Sequence, residues 1–208
     1  MAKKIVAIIG TYRKGRVIDT AVSEVLRGAE AQGAETQRIY LLDKHIEFCT
    51  NCRSCTQEKD AGRRGTCVQK DDMEEVLQAI DAADGIVLGA PTNFFNVNAL
   101  TRRFIERLVP YAYWPWNAKA GPKYRVARPD KKAVTVTSTA CPAFLAWLLI
   151  PGPRKALKIA AKTVGAKVTQ SLCFGLVAQT PEATLPEKDR RKAYRAGEQF
   201  ANTLSQSL

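Results

Sequence analysis

The alternation of apolar, strand-like runs with amphipathic helical segments constrains the fold of this chain more than any other feature. The runs at 5–9 and 86–91 are apolar throughout, which is typical of strands buried on both faces of a parallel sheet. Further strands are predicted at 36–42, 132–137 and 168–175, with helical periodicity between them. Five alternations of strand and helix predict an α/β fold with a doubly wound parallel sheet.

The loop that follows the first strand has the composition of an anion-binding site. It carries hydroxyl groups, two arginines, a lysine and Gly15, and a helical pattern begins behind it at Val17. The N–H groups of such a loop and the positive end of the helix point at one spot, where a phosphate group binds. The loop contains neither G-x-G-x-x-G nor G-K-[ST], so it suits a mononucleotide such as FMN. An ordinary β–α turn with a solvated basic surface is the alternative.

A doubly wound sheet binds its ligand beyond the carboxyl ends of its strands, at the point where the strand order reverses. We predict the flavodoxin-like order 2-1-3-4-5, for which this switch point lies between the first and third strands. The loops there are 11–20 and 91–97. We therefore predict a single flavodoxin-like, FMN-binding domain over residues 1–208. A cysteine-rich insertion at about 43–70 and an aromatic, proline-rich excursion at about 109–129 interrupt it.

The bulk composition is that of an ordinary globular protein with an excess of positive charge. The 208 residues are 46% hydrophobic and 25% charged, and the formal net charge is +12. Because the basic residues are spread along the chain, the charge favours attraction of anionic ligands over a nucleic-acid interface. No apolar run is long enough to span a bilayer, and the N-terminal run is too short for a signal peptide. We therefore expect a cytoplasmic protein without a membrane partner.

Four of the six cysteines, Cys49, Cys52, Cys55 and Cys67, fall within nineteen residues. A disulfide framework is not expected in a cytoplasmic chain of this size. The compact spacing of the first three, with a fourth after eleven further residues, is compatible with a [4Fe–4S] cluster or with a zinc ion. The third interpretation is free thiols in a dimer-forming loop, and spacing alone does not separate the three.

Three further features are interpreted in structural terms. Trp114 and Trp116 belong to an aromatic patch that either lies at an oligomer interface or packs under its own loop. Glu106 and Arg107 are predicted to form a structural ion pair or a helix-end charge rather than a catalytic pair. His45, the only histidine, is expected to be a surface residue.

Several short motifs in the first half of the chain form a specific combination, although each is weak alone. They are Gly10-Thr11-Tyr12-Arg13-Lys14-Gly15 with Thr20, Cys49-x2-Cys52-x2-Cys55, Gly65-Thr66-Cys67, Asp71-Asp72-Met73, the run 83–91 that ends in Pro91, and Phe104-Ile105-Glu106-Arg107. In this combination, over residues 3–107, the chain resembles the NADPH-dependent FMN reductase family and its relatives, the iron-sulfur flavoproteins.

The resemblance implies where FMN would bind. Its phosphate is expected at Thr11, Arg13 and Thr20, its isoalloxazine ring against 91–96, and the other edge of the ring at 138–141. Phe94 or Phe95 is expected to supply the aromatic contact that the family often makes from the position of Asn93. The candidate cofactor-binding residues are Thr11, Arg13, Lys14, Thr20, Pro91, Thr92, Asn93, Phe94, Phe95, Asn96, Ser138, Thr139 and Cys141. The candidate ligands of a [4Fe–4S] cluster are Cys49, Cys52, Cys55 and Cys67.

The resemblance also implies a function. It indicates an FMN-dependent oxidoreductase that transfers electrons from NAD(P)H or a ferredoxin-type protein donor to flavin, quinone or another small-molecule acceptor. FMN supplies the chemistry, so no catalytic side chain is predicted. The first alternative is an iron-sulfur flavoprotein whose [4Fe–4S] cluster serves ferredoxin-linked electron transfer. The second is a basic, non-enzymatic module that binds nucleic acid. A homodimer or homotetramer is expected.

Overall fold

A parallel sheet of five long strands forms the centre of the protein. The computed structural model describes residues 2–205, and its strands are β1 (Lys4–Ile9), β2 (Glu35–Tyr40), β3 (Gly85–Asn93), β4 (Asn96–Val97), β5 (Ala112–Tyr113), β6 (Lys123–Tyr124), β7 (Lys131–Ser138) and β8 (Ala166–Phe174). The long strands are ordered β2-β1-β3-β7-β8, and each neighbouring pair is parallel. This confirms the predicted order 2-1-3-4-5 and the flavodoxin-like fold.

Helices cover both faces of the sheet. They are α1 (Val17–Glu30), α2 (Met73–Ala82), α3 (Ala99–Glu106), α4 (Ala143–Leu149), α5 (Gly152–Thr163) and α6 (Glu187–Ser205). The sequence pattern predicts the last helix as far as Leu208, and residues 206–208 lie outside the described part of the chain. No helix within residues 2–205 is both long and apolar enough to cross a membrane.

The apolar composition of β1 follows from its position between two hydrophobic layers. Ile5, Ala7 and Ile9 pack into the layer beneath α1 and α6. Val6 and Ile8 alternate with them and pack into the layer beneath α2, α3 and α5. Because successive side chains of a strand point to opposite faces, a strand covered on both sides needs an apolar residue at every position.

Strand β3 continues beyond the sheet into a hairpin, where the sequence predicts only a loop. Thr92 and Asn93 pair with Val97 and Asn96 of the antiparallel strand β4. Phe94 and Phe95 form the two-residue turn, with φ angles of +44° and +65°. Two positive φ angles identify a type I′ turn, which normally favours asparagine and glycine. Two phenylalanines therefore occupy a strained backbone for which the local sequence carries no turn signal.

The cysteine-rich insertion and the aromatic excursion pack on each other. The N–H of Trp114 donates to the carbonyl oxygen of Thr56 at 3.0 Å. The guanidinium carbon of Arg53 lies 3.6 Å from the ring centroid of Trp114 and 4.2 Å from that of Trp116. Such stacking contributes about 0.5–2 kcal/mol per cation–π pair. Trp114 therefore packs within its own chain, against the loop that carries the first three clustered cysteines, whereas Trp116 is 57% exposed.

Arg107 forms a different ion pair from the predicted one. Its Nη1 lies 2.5 Å from Oδ2 of Asp71, whereas Glu106 pairs with Arg102 at 2.9 Å. The side chains of Arg107 and Asp71 are 3% and 1% exposed, so this pair is buried. The partners are 36 residues apart, and their contact depends on tertiary packing rather than on adjacency in the sequence.

Candidate functional site

A cavity of about 270 Å³ opens at the carboxyl ends of β1, β3 and β7. Its lining residues are Thr11, Tyr12, Arg13, Arg16, Val17, Ile18, Pro91, Thr92, Asn93, Ser138, Thr139, Ala140, Val177, Ala178 and Ala183. The cavity is lined by residues of the two segments predicted at the switch point, 11–20 and 91–97, and by residues 138–140, which the family resemblance placed at the other edge of the ring. A larger groove of about 910 Å³ runs along α6 and the edge strand β8, but no loop from a strand end lines it. The switch-point cavity is the better candidate for a cofactor site.

The β1–α1 loop presents backbone and side-chain donors to this cavity. Gly15 turns the chain with a φ of +74°, a conformation that residues with a side chain rarely adopt. Helix α1 begins after Arg16, whose side chain makes no capping hydrogen bond. The first N–H groups of α1 are therefore not satisfied by a cap, and the positive end of the helix faces a cavity lined by Arg13 and Arg16. This arrangement favours a bound anion such as a phosphate group.

Asp19, a residue that sequence reasoning missed, fixes the shape of the loop. Its Oδ2 accepts a hydrogen bond from the N–H of Gly15 at 2.6 Å, and its Oδ1 accepts one from the hydroxyl of Tyr40 at 2.9 Å. Burial raises the pKa of Tyr40, and the carboxylate of Asp19 raises it further. Asp19 therefore ties the loop to the neighbouring strand β2. The sequence signal that could have indicated this role is the position of Asp19, an acidic residue in the first turn of α1.

The end of β1 is fastened to α3 by a second buried network that was not predicted. The side-chain amide of Asn98 donates to the carbonyl oxygen of Gly10 at 2.7 Å, and the hydroxyl of Thr101 donates to the same oxygen at 3.2 Å. Asn98 also caps α3, because its Oδ1 accepts the N–H of Thr101. The hydroxyl oxygen of Tyr12 accepts the N–H of Leu100 at 3.1 Å. The side chain of Tyr12 thus links the β1–α1 loop to the start of α3.

Six of the predicted cofactor-binding residues do not line the cavity. Lys14 forms an ion pair with Asp43 at 2.5 Å, and the hydroxyl of Thr20 points to the carbonyl oxygen of Gly15 at 3.5 Å. Phe94 and Phe95 are 98% and 68% exposed. The Oδ1 of Asn96 accepts the N–H of Val97. The Sγ of Cys141 lies 3.4 Å from Oγ1 of Thr139. The segment at 177–183, which does line the cavity, was not predicted.

The four clustered cysteines lie on two segments that contact each other, since a Cβ on Gly65 would lie 1.9 Å from the carbonyl oxygen of Cys55. Burial, followed by charge repulsion from Cys67, Cys49 and Cys52, raises the pKa of Cys55 to about 11. Asn51 and Arg53 adopt positive φ angles, which turn the backbone between the first three cysteines. All six cysteines are free thiols.

The chemistry of this donor set fits a [4Fe–4S] cluster. Four neighbouring thiols are the usual ligands of such a cluster, whose irons each take one thiolate. Among the described residues, no three side chains of His, Cys, Asp or Glu converge to form a site for a single metal ion. The described thiols are therefore not arranged around the position of a single metal ion.

The strand order defines this protein as a flavodoxin-like α/β protein, and a cavity lies at its switch point. The model of the family described as NADPH-dependent FMN reductase matches residues 3–144. The chain belongs to the NADPH-dependent FMN reductase family. This confirms the family predicted from the motifs, and the family's description agrees with the predicted FMN cofactor and NAD(P)H-dependent oxidoreductase class.

Individual known proteins are similar to parts or to most of the chain. An iron-sulfur flavoprotein from Archaeoglobus fulgidus is 33% identical over 116 residues, which are 54% of this chain and 48% of the relative. The chain spans about half the length of the curated relatives it matches.

Solved structures match nearly the whole fold at low sequence identity. An NAD(P)H:quinone oxidoreductase from Methanothermobacter marburgensis matches with a TM-score of 0.71 and 15% identity over 95% of this chain and 98% of that one. An FMN-dependent NADH-azoreductase from Bacillus anthracis, solved in complex with FMN, matches with a TM-score of 0.69 and 15% identity over 99% and 100%. At such identities the similarity establishes the fold alone.

Proposed function

We propose that this protein is an FMN-dependent oxidoreductase that takes electrons from NAD(P)H or a protein donor and passes them to flavin, quinone or another small acceptor. The observation that carries the proposal is the switch-point cavity, where an uncapped helix end meets a hydroxyl group and two arginines. Membership of the NADPH-dependent FMN reductase family supports the choice of cofactor. When bound, FMN would supply the hydride and electron chemistry.

The residues of the cavity divide into two groups by their position. Thr11, Arg13 and the first N–H groups of α1 would hold the phosphate. Residues 91–93 at the end of β3 and residues 138–140 at the end of β7 line the rest of the cavity and would hold the ring. Backbone N–H groups directed at the ring would stabilise negative charge that develops on it when it is reduced.

A visible spectrum and an activity assay test the proposal. The purified protein is expected to carry flavin, or to take up added FMN, and to oxidise NADPH or NADH when riboflavin or a soluble quinone is supplied. A preparation that stays colourless after FMN is added would refute the assignment of the cavity. Salt-sensitive binding of DNA by a colourless preparation would favour the nucleic-acid alternative instead.

The cysteine cluster favours a second candidate function, that of an iron-sulfur flavoprotein in ferredoxin-linked electron transfer. Four cysteines on two contacting segments and partial similarity to proteins of that name support it. Iron and sulfide analysis of anaerobically purified protein tests it, with about four irons per chain expected for a Cys₄ [4Fe–4S] site. Flavin without iron, after reconstitution with iron and sulfide, would leave the simpler reductase.

We also propose that the protein forms a homodimer or homotetramer through an apolar surface beside the cavity, which we call the α4 surface. It consists of the exposed side chains Phe94, Phe95, Phe144, Trp147, Leu148 and Leu149. A Cβ on Gly152, at the start of α5, would lie 2.2 Å from the carbonyl oxygen of Phe95, so the phenylalanine turn and the end of α4 are neighbours. Aromatic side chains present about 150–250 Å² each. The surface therefore approaches the roughly 800 Å² per partner of a stable interface.

The salt dependence of assembly identifies the partner of the α4 surface. Two copies that each carry a charge of +12 repel each other, and the repulsion falls as salt screens it. Self-association is therefore expected to strengthen as salt rises, whereas binding to an acidic protein or an anionic membrane would weaken. Sedimentation measurements with Leu148→Lys are expected to show monomer. Leu42→Lys, next to the edge strand β2 at the other end of the sheet, is the control that should assemble normally. Equal behaviour of the two variants would refute the interface.

A cytoplasmic location is the last part of the proposal. All six cysteines are free thiols, a state that reducing compartments maintain. Cell fractionation with detection of the native chain tests it, and recovery from an extracellular or envelope fraction would contradict it.

A further inference from the structure

The buried pair of Arg107 and Asp71 holds the chain where it approaches the first clustered cysteine. Oδ2 of Asp71 accepts the N–H of Glu47 at 2.8 Å, and Nη1 of Arg107 donates to the carbonyl oxygen of Glu47 at 2.8 Å. Glu47 lies two residues before Cys49. Both hydrogen-bonding groups of one peptide backbone residue are therefore fixed by the same ion pair.

The same guanidinium also reaches the last clustered cysteine. Nη2 of Arg107 lies 3.6 Å from Sγ of Cys67, which is within hydrogen-bonding range for sulfur. Nη2 also donates to Oδ1 of Asp71 at 3.2 Å, so the guanidinium is held by both oxygens of one carboxylate. This bidentate contact fixes the plane of the guanidinium and thereby the direction of the N–H that faces the thiol.

The segment before Cys67 packs directly on another clustered cysteine. A Cβ on Gly65 would lie 1.9 Å from the carbonyl oxygen of Cys55. The N–H of Gly65 donates to the carbonyl oxygen of Pro110 at 2.8 Å. The segment that carries Cys67 is thus held against Cys55 by a close backbone contact, and Arg107 lies beside the Cys67 thiol.

We propose that Arg107 is a positioning residue for a [4Fe–4S] cluster held by Cys49, Cys52, Cys55 and Cys67. It orients the Cys67 thiolate and offsets part of the negative charge of the four ligands. Asp71 holds Arg107 for this role. The inference rests on the iron-sulfur candidate described above and is independent of the FMN site. Hydrogen bonds and net charge at the sulfur ligands set the reduction potential of such clusters, so loss of Arg107 should make the potential more negative.

Three variants separate positioning from general stability. Arg107→Gln removes the charge, Arg107→Lys keeps the charge but loses the bidentate geometry, and Arg64→Gln is the matched control. Arg64 forms comparable ion pairs with Glu74 and Asp81. Among the described residues, the side chain of Arg64 forms no hydrogen bond with a clustered thiol.

The experiment uses the full chain, reconstituted anaerobically with ferrous iron, sulfide and FMN. Iron and sulfide per chain, the rate of iron loss to a chelator, and the midpoint potential are measured. Arg107→Gln is expected to bind the cluster about 10–100-fold less tightly, as is typical when a residue supporting a metal ligand is lost. Its residual cluster is expected to have a more negative potential. Arg107→Lys is expected to lie between Arg107→Gln and the wild type, and Arg64→Gln should match the wild type.

Several results would overturn the inference. One is wild-type iron retention and potential in Arg107→Gln, and another is an equal loss of iron in Arg64→Gln. If Arg107→Gln does not fold, Arg107→Lys carries the test, and a wild-type potential and iron content in that variant would refute it. A wild-type chain that takes up FMN but no iron overturns this inference and leaves the FMN proposal standing. A wild-type chain that takes up iron but no FMN refutes the FMN proposal and leaves this inference standing.

Discussion

Replacement of Thr11 by valine tests the phosphate-binding role of the β1–α1 loop. Thr11 lines the cavity and is 5% exposed. Its Oγ1 accepts the N–H of Arg13 at 3.2 Å, which leaves the hydroxyl proton available to a bound anion. Valine has nearly the same shape but can neither donate nor accept, so the change removes one hydrogen bond to the phosphate together with the acceptor for the N–H of Arg13. We expect FMN to bind more weakly while the fold is retained.

The size of the effect follows from the charge of the acceptor. A hydrogen bond to a charged group contributes about 1.5–3 kcal/mol. Because about 1.4 kcal/mol corresponds to a tenfold change in affinity, Thr11→Val is expected to weaken FMN binding roughly 10- to 140-fold. Titration of the apoprotein with FMN, followed by quenching of flavin fluorescence, measures the dissociation constant. Thermal unfolding without FMN checks that the variant is folded.

Thr20→Val is the matched control, because the two threonines were predicted from the sequence for the same role. The hydroxyl of Thr20 faces the carbonyl oxygen of Gly15, and Thr20 does not line the cavity. Its loss should therefore change the affinity much less than the loss of the Thr11 hydroxyl. Wild-type affinity in Thr11→Val, or an equal loss in both variants, would refute the assignment of the phosphate to this loop.

Three further predictions concern stability. Asp71→Asn breaks a buried ion pair and is expected to lower the free energy of unfolding by about 3–5 kcal/mol in urea titrations. Burial raises the pKa of Asp71, but Arg107 and backbone N–H groups outweigh it and lower the pKa overall. The stabilisation by the Asp71 carboxylate is thus fully present above the ordinary aspartate pKa of about 3.9 and is lost as pH falls through the lowered pKa of the folded protein. The stabilities of the wild type and Asp71→Asn should therefore converge in acid. Lys14→Ala, which removes an exposed pair with Asp43, should cost about 0–1 kcal/mol and leave FMN affinity nearly unchanged. Gly65→Ala forces a backbone shift and should lower the melting temperature through a loss of about 1–3 kcal/mol.

The sheet could be predicted from the sequence because burial on both faces leaves a local record. Every residue from Ile5 to Ile9 packs into one of two apolar layers, so the strand reads as an unbroken apolar run. The hairpin after β3 has no corresponding pattern in the local sequence. Phe94 and Phe95 are neither turn formers nor buried, and their conformation is imposed by pairing between Asn93 and Asn96. Local propensity therefore could not have predicted that turn.

The cavity could be predicted only as far as general topology reaches. Parallel strands end at the same edge, so the loops after β1, β3 and β7 had to meet. The residues that shape those loops depend on contacts between distant segments. Asp19 acts through Tyr40 of the neighbouring strand, and the carbonyl oxygen of Gly10 is held by Asn98, 88 residues later. The segment at 177–183 lines the cavity because Arg16 donates to the carbonyl oxygen of Glu182, a contact 166 residues apart in sequence.

Two motifs of the sequence signature, Asp71-Asp72-Met73 and Phe104-Ile105-Glu106-Arg107, lie at the ends of the cysteine-rich insertion rather than at the cavity. Asp71 and Asp72 accept the N–H groups of Glu47 and His45, so the chain enters and leaves the insertion at one place. Joining the ends makes the insertion a closed loop, and the entropy of closing a loop grows only slowly with its length. The long segment between the ends can therefore carry four thiols at a modest conformational cost. Arg107, from the second motif, forms a buried ion pair with Asp71 of the first motif. The two motifs therefore act together to hold the ends of the insertion, and they are not separate sites.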